Sequence, residues 1–520
     1  MALIAKFASV GGATMASRVL GFAREAAIAA LLGAGPVADA FYAAFRFPNL
    51  FRRLFAEGPF NAAFVPLFTK ALHGPDGRAR ARELAGDIAS LLLVAMIAVT
   101  GLAILLMPAL TATVIAPRFV DTPDKFELTV TLARIMFPYL AAMSFAAMLA
   151  GVLNAHSRYF LAALAPTLLN VALIAALLFG WLGEAAPERI GLYLAIGVTV
   201  SGAMQLALLV HAIRRTGFSF TVLRRPRLTP GVRRFLVLAG PAVLTGGVTQ
   251  INLVVGQVIA SAQDGAIALI NYADRVFQLP LGIIGIAIGV VLLPELSRAL
   301  REGDTSEANG LQNRSLEFAL LLTLPAAAGL VVMPGPIVAV LYERGAFDAG
   351  TTMRAAEILR AFAWGLPAFV LVKVFQPAFY AREDMRLPLY ATILNVVANI
   401  ALSLILFPRM GPAGIGMATS AAGWLNLAVL LGFSMREGLF VPGARTVRTV
   451  AAILMGALVM GLALWAAHAG LEGTLREGSF LVRAPLVLAL VGAAAALHFA
   501  VVIAGGGIRP AEIRAAFRRG

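Results

Sequence analysis

Residues 17–58 read SRVLGFAREAAIAALLGAGPVADAFYAAFRFPNLFRRLFAEG, two apolar runs that meet at Gly33 to Pro36 and carry Arg18, Arg24, Glu25, Asp39, Arg46, Arg52, Arg53 and Glu57. An arginine placed centrally in a spanning helix costs about 2.5 to 3.5 kcal/mol on translocon scales, a cost met only by facing a bundle interior or a wet cavity. Several arginines in one helix pair therefore predict a cavity. At about 100° per residue, Arg18 and Glu25 share one helix face and Asp39 and Arg46 another, while Arg24 points about 120° away from Arg18. Gly21 and Pro48 are positions where a helix can bend and bring these side chains toward one site.

The rest of the chain supports a membrane setting. Of its 520 residues 60% are hydrophobic and 13% charged, mean hydropathy is +0.87, and apolar runs recur along the whole length, which defines a multi-spanning helical membrane protein without a large soluble domain. The net charge of +15 would suggest nucleic acid in a soluble protein. Here the positive charge sits in short connections between apolar runs, so no nucleic-acid partner is expected. Cysteine is absent, which excludes disulfide and thiol chemistry. The first run, with Lys6 ahead of it, is too long for a signal-peptide core and is interrupted by Arg18 and Arg24, so it is expected to be retained.

With about 20 residues per span, about fourteen runs are legible. They lie near 4–33, 37–70, 86–110, 128–154, 160–182, 190–213, 233–261, 266–298, 311–333, 354–380, 387–407, 412–435, 447–468 and 482–505. Connections after the even-numbered runs are rich in arginine, whereas the opposite ones are sparse in it and hold Lys125, Asp121, Glu184 and Asp348. Both termini are therefore expected in the cytoplasm.

The chain also repeats itself. Pro66-Leu-Phe-Thr-Lys-Ala-Leu72 resembles Pro294-Glu-Leu-Ser-Arg-Ala-Leu300, Thr167-Leu-Leu-Asn-Val171 resembles Thr392-Ile-Leu-Asn-Val396, and Phe137-Pro138 matches Leu366-Pro367, at offsets of 228, 225 and 229. Two parallel six-helix repeats follow, expected at residues 1–230 and 231–440, with two appended helices and a cytoplasmic tail at 441–520. Such halves suggest a transporter whose site lies between them near the midplane and which works by rocking. Asn271-Tyr-Ala-Asp-Arg275 occupies the eighth run, where Asp274 can pair with a cavity arginine and Arg275 adds a cation.

Charge inside the membrane means an anion site or structural ion pairs. Arg18, Arg24, Arg46, Arg52, Arg53 and Arg275 outnumber Glu25, Asp39, Glu57 and Asp274, which favours the anion site. Arginine suits a phosphate because its planar fork binds two oxygens and stays charged when desolvated. Arg52 and Arg53 equally suit a helix end, with one side chain snorkelling to the interface.

Asn395 and Asn399 could offer oxygens to a cation, together with Gln250 or Asn252. Asn170 stands at the repeat position of Asn395, which points instead to interhelical hydrogen bonding. Gly285 and Gly289 form a GxxxG that predicts close helix packing, and Pro48, Pro138, Pro166, Pro241, Pro280 and Pro367 predict kinks inside runs. No lysine follows a glycine, so there is no Walker A loop, and scattered histidines without an HExxH argue against zinc. No bound cofactor is expected, and transport must draw on an ion gradient or the membrane potential. A membrane enzyme acting on a pyrophosphate lipid would need clustered carboxylates for Mg²⁺, and the adjacent pair Glu383-Asp384 lies between Arg382 and Arg386 in a connection.

Ser17-Arg-Val-Leu-Gly-Phe-Ala-Arg24, Asp39-Ala-Phe, Phe47-Pro-Asn-Leu-Phe-Arg-Arg53, Phe55-Ala-Glu-Gly58, Ala165-Pro-Thr-Leu-Leu-Asn170, Tyr272-Ala-Asp-Arg275 and Phe379-Tyr-Ala-Arg-Glu-Asp384 together resemble the MurJ (MviN) family of lipid II flippases, within the multidrug/oligosaccharidyl-lipid/polysaccharide exporter superfamily. The likeness runs from near the N-terminus to at least the eleventh run. It implies a bacterial inner-membrane transporter, not an enzyme, expected as a monomer among membrane lipids. Its substrate would be lipid II, undecaprenyl-diphosphate-linked disaccharide-pentapeptide, moved from the cytoplasmic to the periplasmic leaflet for peptidoglycan synthesis and cell shape. It implies an inward-open cavity in which Arg18, Arg24, Arg52 and Arg275 bind or steer the diphosphate, with Asp39 also important. The family's sodium site, where known, has an acidic residue on the eleventh helix, and this chain offers Asn399 there. The alternatives are a related polysaccharide-lipid or drug exporter and a membrane enzyme acting on polyprenyl diphosphates.

Overall fold

A computed structural model of the chain describes residues 2–55, 59–222, 225–382 and 384–507; of these, the side chains of 2–11, 13–14, 51–55, 59, 241–246, 248–249, 286–291, 293 and 477 lie outside the description. Among the described residues there is no strand. The chain divides into two compact units, Met1–Ala268 and Leu269–Gly520.

The first unit begins with α1 (Ala2–Leu32), α2 (Pro36–Phe55), α3 (Pro59–Leu72), α4 (Gly77–Leu105) and α5 (Met107–Leu110). After a π turn at Thr111–Ile115 and a 3₁₀ turn at Pro117–Asp121 come α6 (Pro123–Met136), α7 (Pro138–Ala155), α8 (Tyr159–Leu164), α9 (Thr167–Leu182), α10 (Pro187–Arg214) and α11 (Pro230–Ala260). The division falls in the first turn of α12 (Ala266–Arg301). The second unit continues with α13 (Thr305–Val332), α14 (Pro334–Tyr342), α15 (Ala349–Ala363), α16 (Leu366–Ala381), α17 (Arg386–Met410), α18 (Pro412–Arg436), α19 (Ala444–Gly470), α20 (Glu472–Glu477) and α21 (Phe480–Ala504).

Local chemistry explains many of these boundaries. Eight helices, α2, α3, α6, α7, α10, α11, α14 and α18, begin on proline, whose missing N–H is unpaired at a first helical position in any case. Thr229, Asp304 and Asp348 cap α11, α13 and α15 by accepting from the backbone N–H three residues on. Among the described residues, eleven segments are long and apolar enough to cross a membrane, and all coincide with runs read from the sequence. The first, second and seventh runs are helical as α1, α2 with α3, and α11, and each includes side chains outside the description. The protein is a multi-pass, all-α membrane protein.

Among the described residues, five runs are two helices where one was expected: the second is α2 and α3, the third α4 and α5, and three more break beside a proline inside the run. The fourth is α6 and α7, the fifth α8 and α9, and the tenth α15 and α16, with the breaks beside Pro138, Pro166 and Pro367. Each proline removes a backbone donor, so these are junctions rather than kinks inside one helix. Pro48 and Pro280 do lie inside continuous helices.

In the first unit, Phe60, Phe64 and Phe68 stack along one face of α3 at 5.5 and 5.3 Å between centroids, and Phe235 from α11 meets Phe60 at 5.1 Å. At Gly202 on α10, an added Cβ would lie 2.8 Å from the Cβ of Ala142, so only glycine lets α10 and α7 close to this distance. In the second unit, Tyr272, Tyr342 and Phe347 form a buried aromatic group. The appended α19 and α21 are fixed to it by a core of Met333, Met460, Leu464, Leu475, Val487 and Ala494, and by a hydrogen bond of 2.8 Å from Thr446 to Glu317.

The GxxxG of α12 is described at Gly285 alone. A Cβ at Gly285 would lie 2.6 Å from Nζ of Lys373, so this notch receives the end of a lysine on α16, and Gly289 lies among the side chains outside the description.

Candidate functional site

Among the described residues of the first unit, Arg24 with Glu25 and Asp39 with Lys125 form two buried charged centres. The first is built on Arg24, which is 7% exposed, and Glu25, which is 1% exposed. Consecutive helical residues diverge by about 100° and do not ordinarily face each other. Here the long arginine side chain folds back so that Nη2 donates to Glu25 Oε1. Its Nη1 donates to Asn170 Oδ1 on α9 at 3.0 Å, and Asn170 Nδ2 donates to the Ser17 carbonyl at 2.9 Å. The Tyr42 hydroxyl on α2 donates to Glu25 Oε2 at 2.5 Å. The guanidinium is thus held on two arms, while its Nε–H is buried and has no hydrogen-bond partner among the described residues. Asn170 packs against Gly21, where an added Cβ would be in ordinary contact with the amide at 3.5 Å.

The second centre is built on Asp39, in the first turn of α2 and 0% exposed. Its Oδ2 accepts from Lys125 Nζ at 2.8 Å and from the Gly265 N–H at 2.7 Å, and its Oδ1 accepts from the Ala268 N–H at 2.9 Å. The carboxylate therefore caps the start of α12 from another helix, where free N–H groups and the positive end of the helix dipole favour an anion. Gly265 is required at this turn. Its φ is +77°, and a Cβ would lie 2.6 Å from the Ala34 carbonyl oxygen. Lys125, 3% exposed, also contacts Asp264 Oδ1 at 2.9 Å and sits 4.0 Å from the centroid of Phe119. Asp264 borders a pocket of about 270 Å³ shared with Arg118, Asp121, Thr122 and Ser261, so solvent reaches one of the two carboxylates and not the other.

The remaining candidates are dispersed. Arg18 is exposed, so the face it shares with Glu25 does not bring it into the Arg24 centre. Arg46 is half-buried, and the carboxylate of Asp39, on the same face by periodicity, is committed to Lys125 and the α12 backbone. The side chains of Arg52 and Arg53, and Glu57 altogether, lie outside the described residues. In the second unit Asp274 and Arg275 are half-buried, and Gln278 donates to Asp274. Asn395 is half-buried. Asn399, 6% exposed, accepts from Ser403 at 3.4 Å and from Thr419 on α18 at 3.3 Å. Among the described residues no group of three or more His, Asp or Glu side chains is placed to hold a metal ion.

Lys125 and Asp264 were not singled out by sequence reading, because both fall in connections where charge is ordinarily solvated. The available signal was Asp39: a carboxylate in an apolar run needs a cation at the same end, and Arg118, Lys125 and Arg189 were the nearby choices.

The sequence model of the family described as "Lipid II flippase MurJ" matches residues 28–485. This chain belongs to the MurJ family. Among curated MurJ relatives, a protein of Rhizobium tropici named probable lipid II flippase MurJ is 49% identical over 100% of this chain and 97% of its own length. The lipid II flippase MurJ of Burkholderia cenocepacia is 33% identical over 96% and 97%. A solved structure titled "Lipid II flippase MurJ, inward closed conformation" matches with a TM-score of 0.77 at 24% identity, covering 95% of this chain and 99% of that one. An inward-facing multidrug resistance MATE transporter of the MOP superfamily matches at 0.67 and 14% identity, covering 81% and 95%. At these identities the structures establish the fold alone. Membership of the MurJ family makes this protein a transporter of the flippase class and not an enzyme.

Proposed function

We propose that this MurJ-family protein moves lipid II from the cytoplasmic to the periplasmic leaflet of the bacterial inner membrane, feeding peptidoglycan synthesis, by alternating access of a cationic cavity. The observation that carries the reading is Arg24: a guanidinium buried in α1, oriented by Glu25 and Asn170, with one N–H unpaired among the described residues. Such a group is organised in advance for a diphosphate and loses little side-chain entropy on binding. Names given to relatives over nearly their full length supply the lipid class.

In this reading Arg18, Arg24, Arg52 and Arg275 bind or steer the diphosphate. Glu25, Arg46, Arg53, Glu57 and Asp274 balance cavity charge. Asp39 with Lys125 forms a gate at the start of α12, shut while the lipid loads from the cytoplasmic side. Asn399 and Asn395 serve helix packing and not a cation, since the Asn399 oxygen already accepts two hydroxyl donors. Without nucleotide chemistry, work of about 2.3 kcal/mol per charge per 100 mV is available from the membrane potential, and return of the empty cationic cavity is the step on which it acts. Both termini lie in the cytoplasm and the protein works as a monomer.

The test is leaflet accessibility of lipid II in vesicles containing the purified protein. Unchanged lipid II reaching the opposite leaflet, lost in Arg24→Ala, supports the reading. Equal movement by wild type and Arg24→Ala removes the role of the arginine, and movement no faster than in empty vesicles removes the function.

A further inference from the structure

The connection between α10 and α11 carries charge that the transport reading leaves unused. From Arg214 to Arg234 it holds seven arginines and no acidic residue. Arg225, Arg227, Arg233 and Arg234 are exposed, and none of the four has an ion-pair partner among the described residues. Arg233 and Arg234 stand at the start of α11, where Val232 and Phe235 are buried and Phe235 meets Phe60 at 5.1 Å between ring centroids. These two arginines therefore stand on a fixed platform, where their mutual repulsion favours a bound anion.

At this platform Leu228, Pro230, Arg233, Arg234 and Val237 line a cleft of about 490 Å³. Leu228 and Val237 are 74% and 66% exposed. Val237 lies one turn beyond Arg233, toward the interior of a 31-residue helix that is long enough to span. The cleft thus passes from two guanidinium groups to apolar side chains at the level where a spanning helix leaves the membrane. The helix end does not itself make the site, because Pro230 has no N–H and Thr229 already accepts from Val232. A ligand with an anionic head and an apolar body matches both parts, and the bilayer supplies one at this depth.

We propose that this cleft binds an anionic phospholipid, with its phosphodiester on Arg233 and Arg234 and the upper part of an acyl chain along Leu228 and Val237. The proposal is independent of the lipid II reading, since a chain with another cargo would present the same cleft. Each arginine near a membrane surface is worth about fivefold in anionic-lipid affinity, so removing both should cost roughly twentyfold to thirtyfold.

The experiment is native mass spectrometry of the full-length protein released from bilayers of phosphatidylcholine with phosphatidylglycerol, counting retained lipids of each kind. The wild type should retain phosphatidylglycerol selectively. Arg233→Gln/Arg234→Gln should lose that selectivity, while Arg214→Gln/Arg215→Gln, equally basic and exposed at the end of α10 but not lining the cleft, should keep it. Leu228→Ser tests the apolar part without touching charge and should weaken retention, and it keeps the proposal testable if the double arginine variant fails to fold. Equal retention of the two lipids by wild type, or unchanged selectivity in both cleft variants, overturns the proposal. Displacement of phosphatidylglycerol by inorganic phosphate alone would assign the site to a free anion and overturn it as well.

Discussion

Lys125 Nζ lies 2.8 Å from the buried Asp39 carboxylate and 2.9 Å from the exposed carboxylate of Asp264, so a single cation joins the cap of α12 to a solvent-facing side chain. An unpaired buried charge is costly, whereas a pair that opens toward water on one side can exchange partners. The proposed gate rests on this arrangement, and a permanent brace is its rival.

Separate substitutions should distinguish these roles. Lys125→Met removes the cation and leaves Asp39 charged against two N–H donors, and Asp39→Asn removes the charge while keeping size and acceptor capacity. Breaking a buried pair costs about 3 to 5 kcal/mol. A brace would therefore show as lost folded protein in both variants. For a gate, Asp39→Asn should be abundant and thermally stable in membranes yet unable to sustain growth when the native flippase is depleted. Normal growth, or a defect matched by lost protein, would eliminate the gate.

Arg24 uses both terminal nitrogens, Nη1 to Asn170 and Nη2 to Glu25. A lysine ammonium cannot span both acceptors and still offer a second donor pair to a diphosphate. Arg24→Lys should lose most transport and Arg24→Ala nearly all. Asn170→Ala should fall between wild type and Arg24→Lys, because it frees one arm without removing charge. Complementation at matched protein levels measures the series, and full activity of Arg24→Lys would reduce the arginine to a point charge.

Fold and site were unequally legible in the sequence. Hydropathy and proline position fixed the runs, because spanning helices must satisfy their own backbone and the bilayer sets their length. The repeat led to an expected interhelical hydrogen bond at Asn395, and the structure shows one at its counterpart Asn170, to Arg24. Helical periodicity paired Glu25 with Arg18 and Asp39 with Arg46. The structure instead joins Glu25 to Arg24 and Asp39 to Lys125. Periodicity reports direction on one helix, whereas long side chains and a neighbouring helix decide which charges meet. Lys125 illustrates the limit, since its burial arises wholly from tertiary packing around a segment that reads as a connection.

The expected orientation is open to direct labelling, as the chain has no cysteine. Single cysteines at His73 and Ser219 should be protected from an impermeant reagent added to intact cells, and those at Glu188 and Ala349 should react. All four positions are exposed. Glu184, in the same connection as Glu188, is avoided because its φ is +46°, where a new side chain would be strained. The reverse labelling pattern would invert the topology.

Asp348 caps α15 by accepting from the Thr351 N–H at 2.7 Å, and its hydrogen bonds with Thr351 lower its pKa below the ordinary 3.8. A depressed carboxylate contributes stability that is present above its unfolded pKa and lost as pH falls through the folded value. Asp348→Ala should cost about 1 kcal/mol at neutral pH. The gap to wild type should narrow only below about pH 4, where the unfolded carboxyl also takes its proton. Thermal melts across that range in detergent check this, and a gap that closes near pH 6 would assign the effect to another group.

Glu343 and Arg483 tie α14 to the first turn of α21 at 2.7 Å, and their side chains differ in exposure, 20% for Glu343 and 7% for Arg483. The two halves of the pair should therefore fail unequally. In Arg483→Met the remaining carboxylate can turn toward water, and the new side chain fills the apolar space left by the arginine stem. In Glu343→Ala a guanidinium stays buried with its charge unmatched and its Nε–H already without a partner among the described residues, which places the loss near the upper end of about 3 to 5 kcal/mol. The double variant Glu343→Ala/Arg483→Met should recover part of that loss, because no buried charge remains. Thermal unfolding in detergent of the two single variants and the double variant gives the coupling directly. Equal losses in the single variants, or additivity in the double one, would show that hydrophobic packing of α21 against α14 and α19 holds the appended pair without the ion pair.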